Sequence, residues 1–542
     1  MRAVKASGPL SVHVISGTHV VLFGINLEKT SRKGILGFGI QRKDLADNEK
    51  PVWLQGFKSF KESNIPRGKL VYTNKQPIQA FLWGDYTARK DHEYEYRIVA
   101  LRGEPGDLTE SDDVSVIAKM DKEANATNSV YFNRGVAGSQ AYVKKFQNKK
   151  PEKVGQKAFD WLSRGIMEGL VSFIRQAKNQ SWTIHAAVYE FQYIPILKEF
   201  KSAIDRGVNV MIVFDDKDRA NGPGEKNKIA MSTAQIPETA IKPRKSDSSY
   251  IPHNKFIVLL KNDTPKQVWT GSTNLTVGGI FGHSNVGHIV RDEQVAKAYE
   301  IYWQELFNDR KATRLRIWND ENYPLPIKLK PRSIIATFSP RKSLEVLEWY
   351  AAKANKANTA LFLTAAFGVH DLFEKVFSEK KNLLRYLMLE SEDNNMKTLL
   401  SWKFNKIAIG SVLGENMFEH WLQEKLTNLN NHVKYIHTKY LLIDPLGDDP
   451  ITITGSANFS NASTKNNDEN MLIIRGDTQV ADIYLTEFMR LFMHFYYRTI
   501  VKGIGFTSTD PDKGFLMSDD SWSLPYYKHD TQKYRERLYF AA

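Results

Sequence analysis

The feature that most constrains this chain is a pair of polar signatures set 184 residues apart. His253-Asn-Lys255, followed by Thr270-Gly-Ser-Thr-Asn274, recurs as His437-Thr-Lys439, followed by Thr454-Gly-Ser-Ala-Asn458. The differences 437 − 253, 439 − 255, 455 − 271, 456 − 272 and 458 − 274 all equal 184. Five matches at one offset mark an internal duplication, so the fold must be built from two copies of one unit. The helical patterns that follow agree. Val295, Ala296, Tyr299, Trp303 and Phe307 reappear as Val480, Ala481, Tyr484, Phe488 and Phe492 at an offset of 185, one residue having been gained at about Gly476. Each copy carries half of a set of reactive groups, which predicts a pseudo-twofold pair with one site at the seam, formed within one chain.

Periodicity assigns each copy to the α/β class. In the first, Phe159, Leu162, Ile166, Leu170, Phe173 and Ile174 repeat at helical spacing; Thr183–Phe191 then reads as a strand, Ile196–Ile204 as a helix and Val208–Phe214 as a strand. Strand, helix and strand in succession make a βαβ unit. In the second copy, Ala360–Phe367, Asp371–Phe377 and Leu383–Leu389 repeat the plan. The expected architecture is therefore two α-β-α sandwich repeats, 158–325 and 326–505, with Pro324, Pro326, Pro331 and Pro340 marking the junction. Residues 1–120 read instead as an all-β accessory domain of short strands separated by Gly, Pro, Asn and Asp turns. There Tyr94-Glu-Tyr96-Arg-Ile98-Val-Ala100 resembles the tyrosine-corner strand of fibronectin type III and immunoglobulin-like sandwiches. Residues 121–157, with Lys144, Lys145, Lys149, Lys150, Lys153 and Lys157, read as a basic linker, and 506–542 as a C-terminal tail.

Composition narrows the chemistry. The chain has no cysteine, which excludes disulfides, thiolate nucleophiles and cysteine-ligated zinc. A formal charge of +14 favours a polyanionic partner, nucleic acid or an anionic lipid surface. The absence of a long apolar run and of a secretory pattern predicts a soluble, cytoplasmic protein without a transmembrane segment.

His-x-Lys on a strand points both side chains to one face, because strand side chains alternate. The glycine-led turn then returns a Ser hydroxyl and an Asn amide beside them. An imidazole, an ammonium and an amide in each half are the parts needed to hold and attack a phosphoryl group. The second copy, His437-x-Lys439 with Asp444, resembles the HxKxxxxD signature of the phospholipase D superfamily with its trailing GSxN element, and the first copy resembles it incompletely.

That resemblance implies a metal-independent phosphodiesterase with no cofactor. One of His253 and His437 forms a phosphohistidine and the other protonates the leaving oxygen. Lys255, Lys439, Asn274 and Asn458 surround the phosphoryl oxygens, and Ser272, Ser456, Asn285, Asp444 and Glu469 support them. The copies differ at two places: the mate of Asp444 is Leu260 and the mate of Glu469 is Asn285. A neighbouring carboxylate favours the imidazolium, so His437 beside Glu469 reads as the protonated acid, while the amide of Asn285 leaves His253 as the neutral nucleophile. Asp444 reads as a structural acceptor.

Among the remaining polar residues, His283 and His288 read as supporting or surface residues and His370 as a helix cap. Trp522, Tyr526 and Tyr527 read as packing against the body. The favoured substrate is nucleic acid, with Lys242, Arg244 and Lys245 as substrate contacts and the β domain as an accessory module. The alternatives are a phospholipase D or phosphatidyltransferase acting on phospholipid headgroups, and a nucleic-acid-binding protein with a vestigial site.

Overall fold

A computed structural model describes the whole chain except residues 67, 136–138, 148, 218–221, 246–249, 413–434 and 502–513. The duplication is visible as two seven-stranded sheets with the same strand order. The first runs Asn128–Phe132, Val286–Val290, Thr264–Gly271, Lys255–Lys261, Trp182–Val188, Asn209–Asp215, Ile241–Arg244. The second runs Ile334–Ser339, Glu469–Arg475, Ile451–Gly455, Tyr440–Ile443, Ala360–Ala365, Leu384–Leu389, Asn405–Ile409. In each, the last three strands are parallel and the first five antiparallel to their neighbours. The crossover helices Ile194–Asp205 and Asp371–Ser378 connect the parallel strands, as short βαβ units require.

One hydrophobic cluster joins the halves. The long helices Glu293–Phe307 and Thr478–Val501 bury Tyr299, Trp303, Tyr484, Phe488 and Phe492 together with Phe256, Tyr440, Phe132 and Phe338. Burying such aromatic side chains contributes on the order of 2 kcal/mol each, so this interface is a core rather than a sliding contact.

The segment read as a basic linker contains a strand. Asn128–Phe132 forms the edge of the first sheet, pairing antiparallel with Val286–Val290, and Phe132 lies opposite Val286 as Phe338 lies opposite Asn470 in the second sheet. The lysines that follow had dominated that reading, yet Val130 and Phe132 alternate into the core.

Residues 2–119 contribute two four-stranded antiparallel sheets that share one core. The hydroxyl of Tyr94 accepts the backbone N–H of Arg89 at 2.9 Å, closing a turn five residues upstream. The C-terminal segment completes this core. Trp522, Tyr526 and Tyr527 are buried in it; Trp522 Nε1 donates to Ile35 O at 2.9 Å and the Tyr527 hydroxyl to Leu27 O at 2.7 Å. The last helix, Gln532–Ala541, then bridges to the second repeat, where Glu536 accepts from the Tyr386 hydroxyl at 2.6 Å and pairs with Lys406 at 2.5 Å. No helix among the described residues is long and apolar enough to cross a membrane.

Candidate active site

The two signatures meet at the seam. Each histidine starts its loop-to-strand junction by donating its backbone N–H to the other repeat: His253 to Asp468 O at 3.0 Å, His437 to Ser284 O at 3.3 Å. Lys255 opens the strand that follows, Lys439 immediately precedes its own, and both are almost fully buried. Each folds its ammonium back onto a carbonyl, Lys255 Nζ to His253 O at 2.7 Å and Lys439 Nζ to His437 O at 2.6 Å. Gly271 and Gly455 lead into the Ser-x-Asn turns because a Cβ there would stand 2.2 Å from Val286 O or Asn470 O on the adjoining strand.

The acceptors are exchanged between the repeats. His253 Nδ1 lies 2.9 Å from Glu469 Oε2, and His437 Nδ1 lies 2.9 Å from Asn285 Oδ1. The expected pairing of each histidine with its own copy's acceptor is therefore corrected. The twofold relation makes each repeat brace its partner, which a sequence offset cannot reveal. Within each repeat the serine orients the acceptor: Ser456 Oγ donates to Glu469 Oε2 at 2.7 Å and Ser272 Oγ to Asn285 Oδ1 at 2.7 Å. The amide oxygens of Asn274 and Asn458 are buried with no hydrogen-bond partner among the described residues.

Burial governs the electrostatics. It drives His253 down to about 4, with Glu469 opposing and Lys255 reinforcing the shift. His437 is driven well below its ordinary value by burial, then by Lys439, His283 and Lys255. Both imidazoles are thus neutral at pH 7, with Nδ1–H directed at an acceptor and Nε2 carrying the lone pair. Lys255 falls to about 8 through burial, opposed by Glu469 and Glu190, and burial takes Lys439 well below its usual range. The resting site is starved of negative charge, a setting that favours an anion.

Of the remaining assigned residues, Asp444 stands away from the histidines. Its carboxylate accepts the backbone N–H groups of Asn358, Thr359 and Ala360 at 2.7–3.0 Å, closing the start of strand Ala360–Ala365. Leu260, at the matching place, is buried in the core instead. Arg244, read as a substrate contact, is fully buried: Nε donates to Asp468 at 3.0 Å and Nη1 to Asp309 at 2.8 Å. A guanidinium consumed by Asp468, the neighbour of Glu469, by Asp309 and by the Tyr250 hydroxyl holds the segment leading to His253 and is turned away from substrate. Lys242 lies over the Phe307 ring at 5.4 Å, while Lys245 is exposed, 3.6 Å from Asp216.

Three residues complete the surroundings: Asn133 and Glu190, which the sequence reading did not single out, and His283, which it read as a supporting or surface residue. His283 is buried, its ring centroid 4.6 Å from that of His437. It occupies the place of Asn467, which approaches Glu469 at 3.5 Å, so the offset of 184 pointed to it. Asn133 donates to Ile280 O at 3.0 Å and His283 O at 2.9 Å and accepts from Asn285 N at 2.9 Å, fixing the loop behind His437. Glu190 accepts from Asn274 Nδ2 at the mouth of the site. His288, by contrast, is neither at the surface nor in the site; it bonds Tyr484 and Asn128 inside the core at 3.1 and 2.9 Å.

Fold and site together define a class: paired α/β repeats that share one imidazole–ammonium–amide centre. Residues 170–307 and 385–492 match the family described as cardiolipin synthase, PLD-like domain. Both repeats thus carry a phospholipase D-like domain. No curated protein matches it by sequence. Among solved structures it is similar to phosphatidylserine synthase of Haemophilus influenzae, at 11% identity over 62% of this chain and 86% of that one, with a TM-score of 0.44. Nuc of Salmonella typhimurium aligns at 17% identity over 30% of this chain and 95% of its own, TM-score 0.22. Polyphosphate kinase of Porphyromonas gingivalis aligns at 11% identity and TM-score 0.37 over 58% of this chain, which spans 46% of that longer protein.

Proposed function

We propose that this protein is a metal-independent phosphodiesterase that cleaves nucleic acid through a phosphohistidine on His253. The observation that carries the reaction is the exchanged bracing of two neutral imidazoles, one by a carboxylate and one by an amide. In the first step His253 Nε2 forms a bond to phosphorus while the bond from phosphorus to the leaving oxygen breaks. The phosphorylated imidazole keeps its Nδ1–H and is a cation, so the carboxylate of Glu469 is worth most at this histidine. His437 gives its Nε2 proton to the leaving oxygen and becomes neutral, for which an amide partner suffices. Burial and Lys439 keep His437 unprotonated in the empty site; the anionic phosphodiester offsets both and supplies the protonated form. In the second step water yields a proton to His437 and attacks phosphorus, releasing His253. Lys255, Lys439, Asn274 and Asn458 bind the equatorial oxygens and take the place of a metal.

The formal charge of +14 and the exposed Lys245 favour a polyanion. The β-sandwich, whose tyrosine-corner strand resembles fibronectin type III domains, serves as an accessory module. A second reading, a phospholipase D acting on phospholipid headgroups, draws on one observation. Register equates Ala186 with Leu363, and four residues beyond them stand Glu190 and the exposed Phe367. A carboxylate at one side of the site and an aromatic ring at the other suit a cationic headgroup ester. Purified protein in EDTA is offered single-stranded DNA, duplex DNA, RNA and, separately, phosphatidylcholine vesicles. Cleavage of nucleic acid with an acid-labile phosphoryl adduct on His253 is expected. Choline release with all nucleic acids intact selects the second reading, and turnover of none leaves a binding protein.

A further inference from the structure

Away from the seam, a cavity of about 780 Å³ lies where the β-sandwich meets the first repeat. It falls within the range of ligand pockets, roughly 300–1,000 Å³, and at a domain junction, where such pockets concentrate. His19 and Lys90 reach it from the sandwich; Tyr131, Arg134, Trp161 and Arg164 reach it from the repeat.

Its charges are unbalanced in a particular way. Arg164 forks onto Glu487 at 3.0 and 2.5 Å, and the same carboxylate takes Arg490 Nε at 2.8 Å. Arg490 spends its other nitrogens on the carbonyls of Arg134 and Asn133, at 3.1 and 3.2 Å. Arg134 uses only Nε, bonded to Trp161 O at 2.8 Å, and lies 4.2 Å over the Trp161 ring. Its terminal nitrogens have no hydrogen-bond partner among the described residues, and Arg164 Nε is buried without one. Glu123, Asp160 and Glu168 also line the cavity; Lys90, Gln156 and Ser163 each engage one of their oxygens, and Glu123 Oε1 is buried without a partner among the described residues. Arg164 and Arg490 therefore share one carboxylate, and Arg134 is paired with none among the described residues. Burial, with Arg164 and Arg490 adding to it, lowers Arg134 to about 9. Burial and the same cations keep His19 neutral.

We infer that this cavity is a second ligand site, separate from the catalytic seam, for a small phosphate-bearing molecule with a planar ring, of the mononucleotide class. The phosphoryl group takes the open edge of Arg134, the planar fork that suits it. The volume leaves room for far more than phosphate, and His19, Tyr131 and Trp161 give the remainder an aromatic wall. The inference does not depend on the substrate proposed for the seam.

Calorimetric titration of the full chain with AMP and, separately, inorganic phosphate tests it. The titrations use a Lys255→Met/Lys439→Met background, which strips the seam of its ammonium groups. One AMP per chain is expected to bind, with phosphate at least tenfold weaker. Arg134→Met should weaken AMP tenfold or more, and Lys90→Met, at an exposed position that tolerates change, several-fold. Thermal unfolding checks that each variant is folded. No AMP binding in the background variant, or unchanged affinity in both Arg134→Met and Lys90→Met, overturns the site. Equal affinity for phosphate and AMP overturns the ring-bearing ligand.

Discussion

Replacing Glu469 by Gln tests the exchanged bracing directly. The amide keeps the shape of the carboxylate and can still accept from His253 Nδ1 and from Ser456, so packing and tautomer survive while the charge is lost. Glu469 lies 2.9 Å from Nδ1, which puts the charge centres of carboxylate and imidazolium roughly 4 Å apart. At an effective dielectric constant near 20 that is about 4 kcal/mol of attraction, present only once the imidazole has become cationic. The expected fall in kcat/KM is therefore on the order of 10³-fold. Bis(p-nitrophenyl) phosphate and an alkyl phosphodiester serve as paired substrates, because nitrophenolate departs without a proton and an alkoxide does not. Glu469→Gln should slow both alike. His437→Asn should lose far more on the alkyl ester than on the nitrophenyl ester, and His253→Asn should lose everything on both. A Glu469→Gln enzyme within tenfold of the native rate would refute the electrostatic argument. A leaving-group dependence found at His253 rather than His437 would reverse the two roles.

Three further outcomes are expected. The pH profile of kcat/KM should rise on the acid side near pH 4, where His253 becomes neutral, and fall on the alkaline side first as His437 of the free enzyme loses its proton, below the ordinary histidine range, and again near pH 8 as Lys255 loses its own; the alkaline limb of kcat should lie higher, because the bound phosphodiester holds His437 and the lysines protonated. Arg244→Met strands the buried Asp468 and should cost roughly 3–5 kcal/mol in urea unfolding; intact stability with a raised KM would make Arg244 a substrate contact after all. Trp522→Ala should destabilise by about 3–5 kcal/mol, measured by the same unfolding, if the C-terminal segment belongs to the sandwich core as its bond to Ile35 O indicates.

Much of the fold was legible because its causes are local. Alternation and helical spacing located Trp182–Val188, Ile194–Asp205 and Asn209–Asp215 to within a few residues, and the offset of 184 registered the two halves. The same offset located every motif residue, since His-x-Lys and Gly-Ser-x-Asn are spacings along one strand or one turn. Arg244 and the strand Asn128–Phe132 were misread because their partners, Asp468 and Val286, are remote in the chain, and Trp522, read as packing against the body, was assigned to the sandwich only by its bond to Ile35 O.

By itself, then, the sequence determined that there are two copies, which residues in each form the candidate site, and that the copies differ in two carboxylates, Asp444 and, among the motif's hydrogen-bond acceptors, Glu469. Only the tertiary structure decided which histidine receives it. Pseudo-twofold packing exchanges the acceptors, so Glu469 serves the histidine 216 residues before it rather than the nearer His437. Distance along the chain ceases to measure proximity once two sheets close around a shared core, and the unequal bracing of the two imidazoles arises from that closure.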